Sequence, residues 1–311
     1  MTTYNHAGYI GQAIDSILAQ KTSFSWELLI GDDASTDATA QIIQVYASKY
    51  RDRIIPVVRR KNIGASGNFL DLLQRARGQY IATLEGDDIW TASDKLQKQV
   101  QYLDAHVQAS ACVHGVLLID RGGNALTCQK LSWVRPRKCF RLKNFDGIRL
   151  PGHISSLLFR RDLLRDEAMD RLLRSHRQIS DRTIFLGLLT KGEIFSFTQC
   201  MSAYRILREN SDGNLTKTIY LSQNNRFLDE MELFVKMSNW LWEECRISKP
   251  FVRAKCGVVL SALWGKNHVT DDVFGYVRKM LAISGVPGRI VCCMPFVAVQ
   301  KVVLRWTKIQ Q

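Results

Sequence analysis

Three carboxylates crowd together where an apolar run ends: in "YIATLEGDDIW", residues 80–90, Glu85, Asp87 and Asp88 stand directly behind Tyr80–Leu84. A second pair, Asp32 and Asp33, follows the apolar stretch "WELLIG" in the same way. Burying paired carboxylates beside apolar segments is costly unless a cation or hydrogen-bond donors compensate them. Mg²⁺ or Mn²⁺ would answer the charge problem, because each takes a few carboxylate oxygens and completes its shell with water and substrate phosphates. Such an ion screens a diphosphate and stabilises it as a leaving group. An acidic turn that merely caps the next helix gives the same short string, so the string alone leaves both readings open.

The elements that must carry these residues are read from periodicity. "YIGQAIDSILAQ" places Ile10, Ala13, Ile14, Ile17 and Leu18 at helical spacing, and "WELLIG" follows as a short buried strand. "STDATAQIIQVYASKY" reads as a helix with Ser35 or Thr36 as its N-cap and Asp37 in its first turn. "RIIPVVR" is the next strand, "GNFLDLLQRAR" the next helix, closed by Gly78, and "QYIATL" a further strand. This alternation implies an α/β fold, a mostly parallel sheet covered on both faces by helices. Ligands in such sheets sit beyond the carboxyl ends of the strands, so the two acidic clusters are expected to share one crevice.

Composition sets the outer bounds. The chain has 311 residues, 46% of them hydrophobic, enough for a sizeable core and against a disordered chain. Lys and Arg number 43 against 29 Asp and Glu, a net charge of +14 that favours anionic partners. The eight cysteines show no C-x-x-C or metal-ligand spacing and read as reduced thiols of a cytoplasmic protein. No signal peptide is read at the start, and the longest apolar tract, near Ile290–Leu304, is interrupted by Pro295, Gln300 and Lys301.

Taken as an ordered set, "TTYNHAGYIGQAIDSILAQ", "ELLIGDDASTDAT", "NIGASGNF", "RGQYIATLEGDDIW" and "DKLQKQV" resemble the nucleotide-sugar-binding half of the family-2 glycosyltransferases. That resemblance implies a Rossmann-like fold of the GT-A type, with residues 1–110 as the nucleotide-sugar half, 111–215 as the acceptor half and 216–311 as a helical C-terminal extension. It implies an inverting transfer from a nucleotide-sugar, UDP-linked, to a glycan or lipid-linked acceptor in cell-surface polysaccharide synthesis, assisted by Mg²⁺ or Mn²⁺. Carried over residue by residue, Thr2 and Tyr4 would line the base pocket, Asp33 with Asp32 beside it would accept the uracil N–H, and Asp87 would contact ribose. Asp88 would hold the metal and diphosphate. Downstream, "GHISSLLFRRDLL" is similar to the acceptor-side strand, "AYRILRENS" to a Y-R-x-H-x-x-N-S element, and "QISDRTIF" to the segment with the catalytic base, which would make Asp181 that base.

The pattern departs from the family in three places. Only Met1 precedes Thr2, where an apolar strand is usual; the start codon then lies upstream, or the chain is a truncated and inactive homologue. Leu207 stands where a metal-binding His is expected; His153 is available in the chain, although a lone His is more often a packing or hydrogen-bonding residue. Gly67 replaces an Arg before Asn68, with Arg59, Arg60 and Lys61 close by. The segment "QISDRTIF" could equally be a helix N-cap, with Ser180 or Asp181 doing the capping.

Residues 120–177 hold 14 Lys or Arg against six Asp or Glu, a segment that steers an anionic acceptor or is a solvated face. A basic nucleic-acid-binding protein is the reading from a different class. Trp133, Phe140 and Phe145 among the basic residues half-fit it, but no nucleic-acid motif is present and both acidic pairs are left unexplained. No nucleic acid is therefore expected. Beyond residue 215 the pattern is helical, one helix being opened by Thr270. Residues 288–311 mix Arg289, Lys301, Arg305 and Lys308 with apolar residues and Trp306, the makeup of a peripheral helix at the inner face of the cell membrane.

Overall fold

The computed structural model describes residues 1–126, 131, 133–134, 137–207, 226–264 and 273–309. They fall into two compact units. The first comprises Met1–Phe145, Arg149–Leu173 and Ile179–Leu215; the second comprises Asp146–Ile148, Arg174–Gln178 and Thr216–Gln311.

The first unit opens with the expected alternation. Strand β1 (Thr2–Thr3) leads to helix α1 (Ile10–Leu18), β2 (Leu28–Asp32), α2 (Thr39–Lys49), β3 (Ile54–Val58), α3 (Gly64–Arg75) and β4 (Tyr80–Ala82). The apolar spacing of α1 buries Ile10, Ala13, Ile14 and Ile17. Strand β2 runs parallel to β3 from Leu28 opposite Ile54 to Asp32 opposite Val58, and parallel to β1 only at Gly31 and Asp32. Helix α3 packs tightly on β2 at Gly31, where a Cβ would lie 2.2 Å from Asn68 Oδ1. Asn68 Nδ2 donates to the Gly31 carbonyl at 2.7 Å.

The expected cap of α2 differs from what forms. The helix begins at Thr39, because Ser35 and Thr36 are drawn to other partners: the Ser35 hydroxyl donates to Asp32 and accepts from Asn5 N, while Thr36 N donates to Asn5 Oδ1. Asp37 takes the capping role instead, accepting from Thr39 N at 2.9 Å.

A second, mixed sheet is built from β4, β5 (Ile89–Trp90), β6 (Ala109–Ile119), β7 (Cys139–Phe140), β8 (Leu158–Arg160) and β9 (Glu193–Arg205), in the order β4-β8-β6-β9-β5 with β7 beside β9. Strands β6 and β9 run parallel, and the remaining pairs are antiparallel. Helix α4 (Lys95–Ala105) precedes β6, and α5 (Glu167–Arg174) and α6 (Asp181–Lys191) precede β9. Helix α6 is apolar almost all round, and Ile184, Phe185, Leu186, Leu188 and Leu189 are all buried.

Between β2 and β4 the backbone ladder is interrupted. No described strand pairs with Leu28–Ile30 on the side away from β3, and β4 ends its own sheet. A cavity of about 450 Å³ lies there, lined by Leu28, Leu29, Tyr80, Ile81, Ala82 and Leu84, with Met1 and Thr2 also on its wall.

The second unit is helical: α7 (Arg226–Cys245), α8 (Val252–Trp264), α9 (Val273–Ile283) and α10 (Pro287–Ile309). Trp240 is core, whereas Trp242 is exposed. The expected helix start at Thr270, the end of "AYRILRENS" from Arg208 onward, and the side chains of Lys301, Arg305, Trp306 and Lys308 lie outside the described residues.

Candidate active site

The two acidic turns meet at β1. Thr3 O accepts from Asp33 N at 3.0 Å on one side, and Thr2 O accepts from Gly86 N at 2.9 Å on the other. Glycine is required at 86 for this approach, because a Cβ there would lie 2.6 Å from Thr3 Oγ1 and 2.9 Å from His6 Nδ1. The structure thus brings Thr2, Asp33, Asp87 and Asp88 around one short strand end.

The loops after β1 and β2 are laced together. His6 N donates to Thr39 Oγ1 at 2.8 Å and Ala7 N to Asp37 Oδ2 at 3.0 Å. Asn5 and Ala34 adopt left-handed backbone conformations, with φ of 55° and 61°. For Ala34 this is strained, and the cross-ties that hold its neighbours offset the cost. Asp32 serves this loop: its carboxylate is fully buried and accepts from Ser35 N at 3.1 Å and from the Ser35 hydroxyl. Asp33 accepts from Ile63 N at 2.8 Å, with Arg59 4.0 Å away. Arg59 itself is held by Asp71 at 2.7 Å, and Tyr4 is half-buried.

The second turn carries a donor set that could hold a metal ion. Ligand atoms of Glu85, Asp88 and His153 lie within 4.8 Å of one another. Asp88 is fully buried; its Oδ1 accepts from Arg205 N at 3.0 Å and its Oδ2 from the Ser155 hydroxyl. Burial, and then the neighbouring carboxylates, push Glu85 and Asp88 well above the usual carboxylate range. A cation would relieve that repulsion, and the donor set of two carboxylates and an imidazole suits a divalent ion. His153 lies 3.9 Å from Asp88 Oδ2 and is lowered to about 4 by burial, so the ring is neutral and able to ligate. Leu207, at the position where a His was expected, is buried in the core.

Asp181 lies on the wall of the same cavity as Glu85 and Thr2, and its charge acts on Glu85. Ser180 is the N-cap of α6, so Asp181 is the first helical residue and not the cap. Burial raises its carboxyl to about 6. Tyr204 stands with this group: its ring centroid is 4.5 Å from that of His153, and Trp133 meets its edge at 6.4 Å. Burial first, and then the surrounding carboxylates, raise the Tyr204 hydroxyl.

Arg205 binds these parts together from within the core. Its guanidinium donates to Asp87 O at 2.9 Å, to Asp120 O at 3.2 Å, to Arg121 O at 2.9 Å and to Gln12 Oε1 at 2.9 Å. It also lies 4.9 Å from the Tyr9 ring centroid. The sequence assigned no part in the site to Ser155, Tyr204 or Arg205, and His153 was available there only as a lone imidazole. The available signals were that Tyr204 and Arg205 open the Y-R-x-H-like string and that His153 and Ser155 lie in "GHISSLLFRRDLL". Phe140 and Phe145, which half-fitted a nucleic-acid surface, are about 1% exposed and cannot stack on bases.

Residues 1–167 match the family model described as glycosyl transferase family 2. The chain belongs to that family. Its alignment with an uncharacterised protein of Mycobacterium tuberculosis is 47% identical over 134 residues, 43% of this chain and 39% of that protein. The match thus spans well under half the length of that relative. The putative glycosyltransferase EpsE of Bacillus subtilis is 28% identical over 89% of this chain and 96% of its own length. Among solved structures, S. aureus TarS 1–349 in complex with UDP-GlcNAc superposes with a TM-score of 0.58 at 16% identity, covering 95% of this chain and 88% of that one. This is a likeness of fold, and that fold is of the GT-A type.

Proposed function

We propose that the chain is a metal-assisted, inverting glycosyltransferase that moves a sugar from a nucleotide-sugar, UDP-linked, to a hydroxyl of a glycan or lipid-linked acceptor. The observation that carries this reading is the cluster of Glu85, Asp88 and His153 at the end of β1, with Asp181 sharing a cavity wall with Glu85 and acting on its charge. TarS, a protein of the same fold, is a complex with UDP-GlcNAc, which supports a UDP-sugar donor.

In this reading Thr2 and Tyr4 face the base, Asp33 accepts the uracil N–H, Asp32 holds the loop that presents Asp33, and Asp87 contacts ribose. Glu85, Asp88 and His153 would hold Mg²⁺ or Mn²⁺, which would screen the diphosphate and stabilise it as leaving group. Asp181 takes the proton from the acceptor hydroxyl. The oxygen attacks the anomeric carbon from the face opposite the nucleotide, and the pair of the breaking C–O bond leaves with the diphosphate. A positioned carboxylate base of this kind contributes roughly 10²–10⁴ in rate.

The test is a UDP titration with and without Mn²⁺, on the parent and on Asp88→Asn. The reading requires UDP binding that tightens with Mn²⁺ in the parent and loses that dependence in the variant, with an unchanged circular dichroism spectrum. Equal metal dependence in both removes Asp88 from the site. A parent that binds no UDP under either condition corresponds to an inactive homologue.

A further inference from the structure

From Val273 to Gln311 the chain carries six Lys or Arg and no Asp or Glu. Two described helices cover most of this stretch, and their outward faces are not those of an ordinary solvated helix. On α10, Ile290 and Val297 point inward and are buried. Val291, Cys292, Pro295 and Phe296 form the opposite stripe and are all exposed, Val291 at 50% and Phe296 at 54%. The spacing places these four apolar side chains on one face of the helix. Arg253 of α8 lies 4.7 Å from the Phe296 ring centroid, while Arg289 is exposed two residues before the stripe. On α9, Arg278 and Lys279 are exposed, and Ile283 is 38% exposed at its end.

We propose that this basic and apolar face of α9 and α10 docks on an anionic bilayer surface. Aliphatic and aromatic side chains reach the headgroup boundary while the flanking Arg and Lys pair with anionic headgroups, the division of labour of an interfacial helix. No single described helix is long and apolar enough to cross a membrane, and the pair Gly275–Ile283 and Pro287–Ala298, which reaches that length and composition only together, is bent by 116°. A second copy of the chain is disfavoured as the occupant, because a like face would oppose basic residues to basic residues without any acidic partner. A nucleic acid would answer the charge but leave Val291, Pro295 and Phe296 without a matching surface.

Co-sedimentation of the full chain with lipid vesicles tests the proposal independently of any transferase activity. Binding to phosphatidylglycerol-containing vesicles should exceed binding to phosphatidylcholine alone and should weaken with salt, by about fivefold per basic residue engaged at low salt. Val291→Ser with Phe296→Ser should reduce binding about tenfold. Arg278→Glu with Arg289→Glu should abolish the preference for anionic lipid. All four positions are exposed, and a thermal melt of each variant verifies that the fold is retained. Equal binding by parent and both variants overturns the proposal, as does a parent that sediments with neither vesicle. A dimer in solution that Phe296→Ser dissociates, without vesicle binding, assigns the face to self-association instead.

Discussion

Replacing Arg205 by Met keeps the length and most of the packing of the side chain but removes every guanidinium donor. Four acceptors would then lose their partner: the carbonyls of Asp87, Asp120 and Arg121, and Gln12 Oε1. The residue is about 1% exposed, but its four bonds are only partly buried, so water reaches some of the freed acceptors. Each buried acceptor left dry costs about 1–3 kcal/mol, and water entering the turn recovers part of the sum. The neighbouring carboxylates also lose a counter-charge, and breaking one side of a buried ionic arrangement costs about 3–5 kcal/mol. A loss of about 3–5 kcal/mol is therefore expected, lowering the melting temperature by roughly 10 °C for a chain of this size. The bond from Arg205 N to Asp88 Oδ1 survives, so the turn should loosen without collapsing. Arg205→Lys retains the charge but not the planar fork, and should recover less than half of the loss. Chemical denaturation gives the stability, and a UDP titration with Mn²⁺ gives the affinity at a temperature where each variant is folded. If Arg205→Met stays within about 1 kcal/mol of the parent and binds UDP as well, the guanidinium does not organise the acidic turn.

Two further perturbations probe the site and the sheet beneath it. Asp181 acts in its ionised form and is raised to about 6, so kcat/KM should fall about tenfold per pH unit below pH 6 and be level above it; Asp181→Asn should lose roughly 10²–10⁴ in kcat together with that limb. A pH limb that persists in the variant assigns it to another group. Gly31→Ala puts a Cβ 2.2 Å from Asn68 Oδ1 and should cost about 1–3 kcal/mol in denaturant melts, less when Asn68→Ala is combined with it; fully additive losses would refute the clash.

Local pattern made the first hundred residues legible. Helix α1 buries four of the five residues that its spacing selects, with Leu18 partly buried, and both acidic turns follow strands because an apolar run must end before a charge can be tolerated. The long-range part of the site carried no such signal. His153 meets Glu85 and Asp88 from the far side of β6, and Arg205 reaches Asp87 across 118 residues of chain. No periodicity reports such meetings, and a single His or Arg in a string has many ordinary explanations. Leu207 took the expected imidazole out of the string, whereas His153, from another segment, stands beside the two carboxylates. The misplaced cap of α2 has the same origin: Ser35 and Thr36 satisfy cap statistics, but Asn5 and Asp32 compete for them.

The open ladder between β2 and β4 leads to a constructive test. Met1 N donates to Leu29 O at 2.8 Å and Met1 O accepts from Gly31 N at 2.9 Å, whereas Thr2 O accepts from Gly86 N at 2.9 Å. Alternate residues therefore address β2 and the β4 side, as in a strand flanked on both edges by parallel neighbours. Four apolar residues fused ahead of Met1 would continue that alternation along Glu27–Leu29 and Tyr80–Leu84 into the cavity of about 450 Å³. About four new ladder bonds at ~0.5–1.5 kcal/mol each and two or three buried aliphatic side chains at ~1.5–3 kcal/mol each oppose ~1–2 kcal/mol of ordering entropy per residue. The balance is a gain of about 3 kcal/mol. The fusion also removes the buried Met1 ammonium, which burial lowers to about 5. Between pH 8 and pH 5 the unfolded chain holds a proton at that amine which the folded chain lacks, so the parent loses stability as pH falls through this window. The fused chain should therefore melt higher at both pH 8 and pH 6, with the wider margin at pH 6. An extension of equal length that alternates Ser and Lys is the control and should give no gain. If the apolar fusion melts at or below the parent, or if the Ser and Lys extension stabilises equally, the cavity is not a strand site and the open edges of β2 and β4 are satisfied in another way.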